Sequence, residues 1–421
     1  MQVIMKLALT LASFGLASAQ TVPPSRDSFY TVPANISAYS PGAVIAIREV
    51  KTTVVVSGIF LKQAYQVAYR TNRTGGVADL TVATVWVPTR KENETKPPTL
   101  WMYSTAEDST NLDCAPSWGF VSGSNSNNTN LVASEGSIAV SNALDRGYYV
   151  VTPDALGSKS GWLAGETEGY AALDAIRATF NSFSLPSNTP VAIYGYSGGA
   201  HTAVWAASLA KSYAPSLNIT AVAYGGLPTD LRAVVQQINK GPYSWLAAAG
   251  FFGLANAYSS LNQYFISNYN AQGRSNATAF RTPGYCAGNQ NQAPENQYVD
   301  YTKMFNVDVL ASGTPLSNVF AGNSLLKTIN ANAPPAPKML RYQFHGSVDD
   351  IIPVATAQEY VKEQCAQGAN IAFELFNGDK HAQAGIDGGK RARYFTYDVL
   401  DGSVGPVTCG QPWGKMTPPG L

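Results

Sequence analysis

Charge is scarce in this sequence. Of 421 residues, 28 are Lys or Arg and 27 are Asp or Glu, so the formal net charge is +1. Such a chain has no basic stripe to neutralise phosphates, which argues against a nucleic-acid partner. Histidine is rarer still, with three residues, and cysteine is limited to Cys114, Cys286, Cys365 and Cys409. None of the cysteines forms a C-x-x-C pair, so zinc and dithiol-redox signatures are lacking and no metal is expected. An even count in an exported chain favours two disulfides, and spacing alone leaves three pairings open. No apolar run reaches the length needed to span a bilayer.

What is present at the start of the chain explains where these cysteines could oxidise. Lys6 provides a basic region, Leu7 to Leu16 an apolar one, and Ala17-Ser18-Ala19 a small-residue cleavage site. Residues 1–19 therefore read as a signal peptide, and the mature protein as secreted. Six N-x-S/T sequons, at Asn35, Asn72, Asn93, Asn127, Asn218 and Asn276, are candidate glycan acceptors in that compartment.

Residues 53–60 and 77–88 alternate β-branched and polar side chains and predict antiparallel strands. Past Pro98 strands alternate with helices: strands over 99–104, 148–153, 190–195 and 219–226, helices over 137–147, 165–183 and 199–214. The rhythm lapses from Leu227 to Pro337, which is rich in Ala, Asn, Gln and Tyr. It resumes with strands over 338–346 and 371–376 and helices over 354–367 and 389–400. The pattern predicts an α/β fold with a mostly parallel sheet and helices on both faces. Residues 20–226 and 338–421 would form the core, and 227–337 a helical cap insertion.

The stretch "AIYGYSGGAH" places Ser197 in a G-x-S-x-G pattern. That pattern is common by chance, but here an apolar strand precedes it and a helix follows, as a nucleophile elbow requires. A nucleophilic serine needs a base and an acid. His201 lies four residues along the same helix and is better suited to packing. His345 ends a strand. His381, in "FNGDKHAQA", follows both nucleophile and acid, the chain order Ser–Asp–His of α/β-hydrolases. In "HGSVDDIIP", Asp349 is the expected acid, and Asp350 its neighbour that would cap the next helix. The backbone N–H of Gly198 should contribute to an oxyanion hole. The second donor belongs in "STAEDSTNLDCAPS", residues 104–117, which lacks the glycine run of many esterases.

At these residues the sequence resembles the fungal secretory lipases, the lipase A-type family with a large helical cap. The likeness rests on "AEDSTNLDCAPS", "RGYYVVTPD", "GYSGGAHTAVWAASLAKSYAPSLNI", "VDDIIP", "YVKEQCAQGANI" and "KHAQA". It implies an α/β-hydrolase that cleaves ester bonds without metal or cofactor. The family's nucleophile, acid and base fall on Ser197, Asp349 and His381, and its oxyanion donors on the backbone of Asp108 and Gly198. Its disulfides would pair Cys114 with Cys286, tying the cap to the core, and Cys365 with Cys409. One departure is a chain that stops at "GQPWGKMTPPGL". Members of the family can carry a longer tail that folds over the site as a flap, and its loss would leave the acyl channel more open.

These observations point to a secreted serine carboxylic-ester hydrolase acting on triacylglycerols or related acyl esters, with transient contact to a lipid interface and no protein partner. The alternative is an esterase that removes an acetyl group from a fungal secondary metabolite such as a trichothecene. A serine peptidase fits less well, because 227–337 lacks paired glutamates to hold a substrate amine. A non-catalytic binding protein would not need an intact Ser, Asp and His. "SWLAAAGFFGLANAY", residues 244–258, should be a buried cap helix, part of whose surface lines the acyl site. Phe251-Phe252, flanked by Gly250 and Gly253, could form a gate.

Overall fold

The architecture comes from a computed structural model that describes residues 22–54, 60–90, 96–287, 293–326 and 339–414. The signal-peptide segment and Asn93 lie outside the described residues.

Nine strands among the described residues form one sheet. Three are antiparallel and lie at one edge: β1 (Val44–Val50), β2 (Leu61–Arg73) and β3 (Val77–Pro88). The rest are β4 (Leu100–Ser104), β5 (Tyr149–Pro153), β6 (Pro190–Tyr196), β7 (Asn218–Gly225), β8 (Leu340–Gly346) and β9 (Asn370–Phe376). The spatial order is β1-β2-β3-β5-β4-β6-β7-β8-β9. Pairings from β5 to β9 are parallel. Parallel strands need covered faces, which is why β4 and β6 are continuous apolar runs rather than alternating ones.

The covering helices among the described residues are α1 (Pro116–Gly119), α2 (Thr129–Asp145), α3 (Gly165–Phe183), α4 (Gly198–Tyr213), α5 (Leu231–Ile238), α6 (Ser244–Ala257), α7 (Ser259–Asn268), α8 (Ala271–Phe280), α9 (Pro315–Gly322), α10 (Val354–Ala366) and α11 (His381–Leu400). Ile176 of α3, Val204 of α4 and Tyr360 of α10 pack on Met102 and Ile193 from one face. Val140 of α2 and Phe395 of α11 pack with Trp101 and Tyr194 on the other. α5 to α9 all lie between β7 and β8 and share a separate apolar cluster.

Two sequence expectations need correction. The strand expected over 53–60 is absent at Thr53 and Val54, and residues 55–59 lie outside the described residues. The strands there are instead β1 and the long β2, whose Lys62, Gln63, Arg70 and Asn72 obscure the alternation. Backbone pairing with β3 along its whole length overrides that polar content. The last helix starts at His381 rather than 389, because the glycines at 385, 388 and 389 hide a first half that is helical. Gly388 is there for contact: a Cβ would stand 2.1 Å from the Phe344 ring.

Candidate active site

The turn from β6 to α4 sets Ser197, the candidate nucleophile. Ser197 adopts φ 55° and ψ −121°, a conformation L-residues avoid, so the fold must hold it there. Two glycines make this turn feasible by close approach. A Cβ on Gly195 would lie 2.2 Å from the Gly199 carbonyl oxygen, and one on Gly199 would lie 2.0 Å from the Ser104 carbonyl oxygen of β4.

The acid comes from the loop after β8. Asp349 Oδ1 accepts backbone N–H bonds from Ile351 (2.9 Å) and Ile352 (2.8 Å), which lock its rotamer. Its Oδ2 faces His381 Nδ1 at 2.8 Å, and His381 Nε2 lies 2.9 Å from Ser197 Oγ. The carboxylate can only accept, so Nδ1 carries the proton and Nε2 is free to accept from the serine. The Tyr196 hydroxyl donates to the His381 carbonyl at 2.5 Å, holding the start of α11 against the elbow. The structure thus brings Ser197, Asp349 and His381 together in hydrogen-bonding order.

Asp350 does not cap the following helix as expected. That helix has Pro353 at its N-cap with no side-chain cap bond. Asp350 instead accepts from the His381 N–H at 3.3 Å and pairs with Lys380 at 3.4 Å. It thereby helps fix the backbone that carries the imidazole.

His345 also reaches Asp349. Its Nε2 lies 3.1 Å from the Ile352 carbonyl oxygen and 3.2 Å from Asp349 Oδ2. Burial lowers its pKa below the ordinary imidazole value, against the pull of Asp349, so it serves as a neutral donor. Burial would raise the Asp349 carboxyl, but the His381 hydrogen bond and charge, with His345 beside them, hold it below the usual carboxylate range. The acid is therefore ionised throughout the neutral range.

His201 belongs to a different network. Its Nδ1 lies 2.8 Å from Glu168 Oε2, and its Nε2 accepts from the Trp205 indole at 3.0 Å. Glu168 also accepts from the Thr202 hydroxyl and the Leu163 N–H, both at 2.8 Å. This packing role agrees with the expectation from its position on the nucleophile helix.

Beside Ser197 lies a cavity that is open in part to solvent. Asp108, Ser197 and Gly198 form its polar end. Trp162, Leu163, Leu231, Leu246, Phe251 and Ile351 are among its apolar walls. Phe251 meets the cavity, whereas Phe252 turns away toward Tyr269, Phe280 and Arg281. Gly253 allows a close approach: a Cβ there would lie 2.8 Å from Trp162 Cβ.

Cys114 is bonded to Cys286, and Cys365 to Cys409. The first bridge joins the segment after β4 to the helical layer, and the second pins the C-terminal segment to α10. Among the sequons, Asn35 and Asn218 are exposed. The amide nitrogens of Asn72 and Asn127 donate to Tyr213 Oη and to the Gly284 carbonyl, and that of Asn276 is buried. All three of these residues are half-buried.

Comparison with known proteins places this geometry. The profile of the secretory lipase family matches residues 123–392. The chain belongs to the secretory lipase family. Lipase A of Moesziomyces aphidis is 36% identical over 389 residues, covering 92% of this chain and 83% of that one. The secreted triacylglycerol lipase LIP1 of Malassezia furfur is 30% identical over 90% of this chain and 76% of its own. The closed-state structure of Candida antarctica lipase A superposes with a TM-score of 0.88 at 35% identity, over 94% of this chain and 91% of that one. An esterase from Xanthomonas oryzae, 14% identical with a TM-score of 0.66 over 87% of this chain and 100% of that one, shares the α/β-hydrolase fold.

This secretory lipase is accordingly a carboxylic-ester hydrolase. Among its described residues no helix is long and apolar enough to cross a membrane. Two features of its site escaped the sequence reading. One is the loop carrying Trp162 and Leu163, where Ser160 and Leu163 adopt positive φ. The other is a set of buried carboxyls, Glu107, Asp108, Asp154 and Glu168, drawn from separate segments. Acidic residues after strands are ordinary in sequence, so nothing local marked them as buried.

Proposed function

We propose that this secretory lipase hydrolyses acyl esters through an acyl-enzyme on Ser197, with His381 as base and Asp349 as acid. The observation that carries the reading is the bridging imidazole, 2.8 Å from the carboxylate and 2.9 Å from the hydroxyl. His381 Nε2 takes the Ser197 proton as Oγ attacks the ester carbonyl. The carbonyl oxygen becomes an oxyanion, received by the backbone N–H groups of Gly198 and Asp108. His381 then returns the proton to the leaving alcohol, and the C–O bond breaks. Water repeats the sequence on the acyl-enzyme, with His381 again as base, and releases the acid. Asp349 holds the tautomer and stabilises the imidazolium without accepting the proton.

The apolar cavity suits an aliphatic acyl chain, because each buried methylene gains about 0.8 kcal/mol. Fatty-acyl esters of the triacylglycerol type are the proposed substrates, in line with the named activity of the Malassezia furfur relative. Residues 227–337 act as a cap that supplies much of that wall. The chain is exported after removal of residues 1–19, with glycans at the exposed Asn35 and Asn218.

A panel of p-nitrophenyl esters from acetate to palmitate, run beside an emulsified triglyceride, tests the reading. Cleavage of medium and long chains and of the triglyceride is expected. Cleavage of acetate alone would overturn the lipid assignment and favour an acetyl esterase.

A further inference from the structure

Ester hydrolysis as proposed needs only the backbone N–H of Asp108, yet its side chain is the most unusual group in the site. Asp108 is 9% exposed, adopts φ 47°, and lines the cavity together with Ser197 and Gly198. Its Oδ1 has no hydrogen-bond partner and packs on Gly198 so closely that a Cβ there would stand 2.3 Å away. Among the described residues, no lysine or arginine lines the cavity. An ionised, unpaired carboxylate in such a place is costly, and it would also repel an oxyanion forming next to Gly198. A neutral carboxylic acid has the opposite effect: its O–H can donate to the oxyanion.

We propose that burial keeps the Asp108 carboxyl neutral in the working enzyme, with Glu168 as a lesser influence, and that it donates its O–H to the oxyanion. The proposal rests on the acyl-enzyme reading of Ser197. The proton stays on Asp108 throughout, so no bond beyond those of ester hydrolysis is made or broken. Asp108 would thus be catalytic, and Glu168 would act through it.

The charges facing Asp108 come from three elements. Glu107 adjoins it in its own loop, and the two carboxyls repel each other. His381, at the start of α11, lowers the Asp108 pKa, and Glu168 of α3 raises it. From α4 come only the uncharged Ser197 and Gly198, and α5 and α6 present apolar side chains. Burial is the largest influence, and the balance leaves the carboxyl raised to about 7. Glu168 is itself held in place by His201, Thr202 and the Leu163 N–H, so its charge cannot swing away.

The sign of the pH effect follows. Asp108 is a donor below its pKa and a repelling charge above it, so activity should fall on the alkaline side of neutrality. Removing the Glu168 charge should lower the Asp108 pKa and move that fall to lower pH.

The test is the pH dependence of kcat and kcat/KM from pH 5 to 9 on a soluble ester, with product followed by chromatography. Wild type, Asp108→Asn, Asp108→Ala and Glu168→Gln are compared, and thermal unfolding checks each fold. Wild type is expected to show a falling alkaline limb in kcat. Asp108→Ala should lose about a hundredfold, the scale for one oxyanion donor. Asp108→Asn, whose amide is a weaker donor that cannot ionise, should lose less and have no alkaline limb. Glu168→Gln should keep the limb but move it down by about one pH unit. A wild-type profile flat to pH 9, or an Asp108→Asn profile with the wild-type limb, overturns the proposal. Should Glu168→Gln fail to fold, Asp108→Asn decides alone. Failure of wild type to cleave any ester, or full activity in Ser197→Ala, would sink the hydrolase mechanism itself. Active wild type with a flat profile sinks only the role of the Asp108 side chain.

Discussion

The sheet edge and the helical layer between β7 and β8 divide the work of this enzyme unequally. The proposed triad residues Ser197, Asp349 and His381 follow β6, β8 and β9, at the carboxyl ends of parallel strands. There, short turns hold polar groups through fixed backbone bonds, such as the two N–H groups on Asp349 Oδ1. The helical layer supplies no triad residue. It contributes Leu231, Leu246 and Phe251 to the cavity through contacts that are apolar and non-directional. Chemistry needs positions defined to tenths of an ångström, which hydrogen-bonded turns provide, whereas a substrate wall needs only shape. Damage to the first region should therefore abolish rate, and damage to the second should change preference or stability.

The largest expected effect is at the nucleophile. Ser197→Ala should reduce ester hydrolysis by about 10⁴–10⁶-fold while leaving the melting temperature near that of wild type. His381→Ala should fall nearly as far. His345→Ala should retain far more activity, since His345 reaches Asp349 but neither Ser197 nor His381. An active His381→Ala beside a dead His345→Ala would reverse the roles given to these histidines.

Next comes the covalent tie between the two regions. Replacing Cys114 and Cys286 by serine opens a link spanning 172 residues, and replacing Cys365 and Cys409 opens one spanning 44. Chain entropy assigns these links about 5 and about 4 kcal/mol. Denaturant unfolding should show the larger loss for the first pair. The same loss for both would mean that the helical layer stays docked without its bridge.

The adjacent phenylalanines sharpen the comparison within the helical layer. Each truncation to Ala should cost about 3–5 kcal/mol, as both rings are fully buried. Only Phe251→Ala should also shift the ratio of long-chain to short-chain ester cleavage. An equal shift for Phe252→Ala would show that the layer relaxes as a whole.

The smallest effect concerns stability against pH. Burial raises Asp108 and Asp154 from the ordinary 3.8 to about 7. Groups raised on folding stabilise below their unfolded pKa, and that contribution is lost as pH rises through the folded value. Asp349 is lowered, so its contribution is present above the ordinary carboxylate pKa and is lost in acid. The melting temperature should therefore decline between about pH 4 and 7, and Asp108→Asn should reduce that decline. A melting temperature that rises across this window would contradict the burial of these carboxyls.

The sequence made the parallel strands legible because each is a short apolar run between glycine-rich or polar turns. The elbow was legible for the same reason, since "AIYGYSGGAH" joins a strand to a helix. Rarity helped with the base: with three histidines, chain order could single out His381. The antiparallel edge was misplaced because β2 carries polar residues that only its pairing partners accommodate. Asp350 was misjudged because a carboxylate near a helix start resembles a cap, and its partner His381 lies 31 residues away.

Local sequence, then, determined what depends on neighbours along the chain: the strand and helix periods, the strained serine turn and the order of nucleophile, acid and base. Tertiary structure alone decided what depends on groups distant in the chain. It set which carboxyls lost their water, that a second histidine, His345, also reached Asp349, and which of two adjacent phenylalanines faced the cavity. Desolvation and contact direction are properties of the packed surroundings, and a residue's neighbours in sequence carry little information about them.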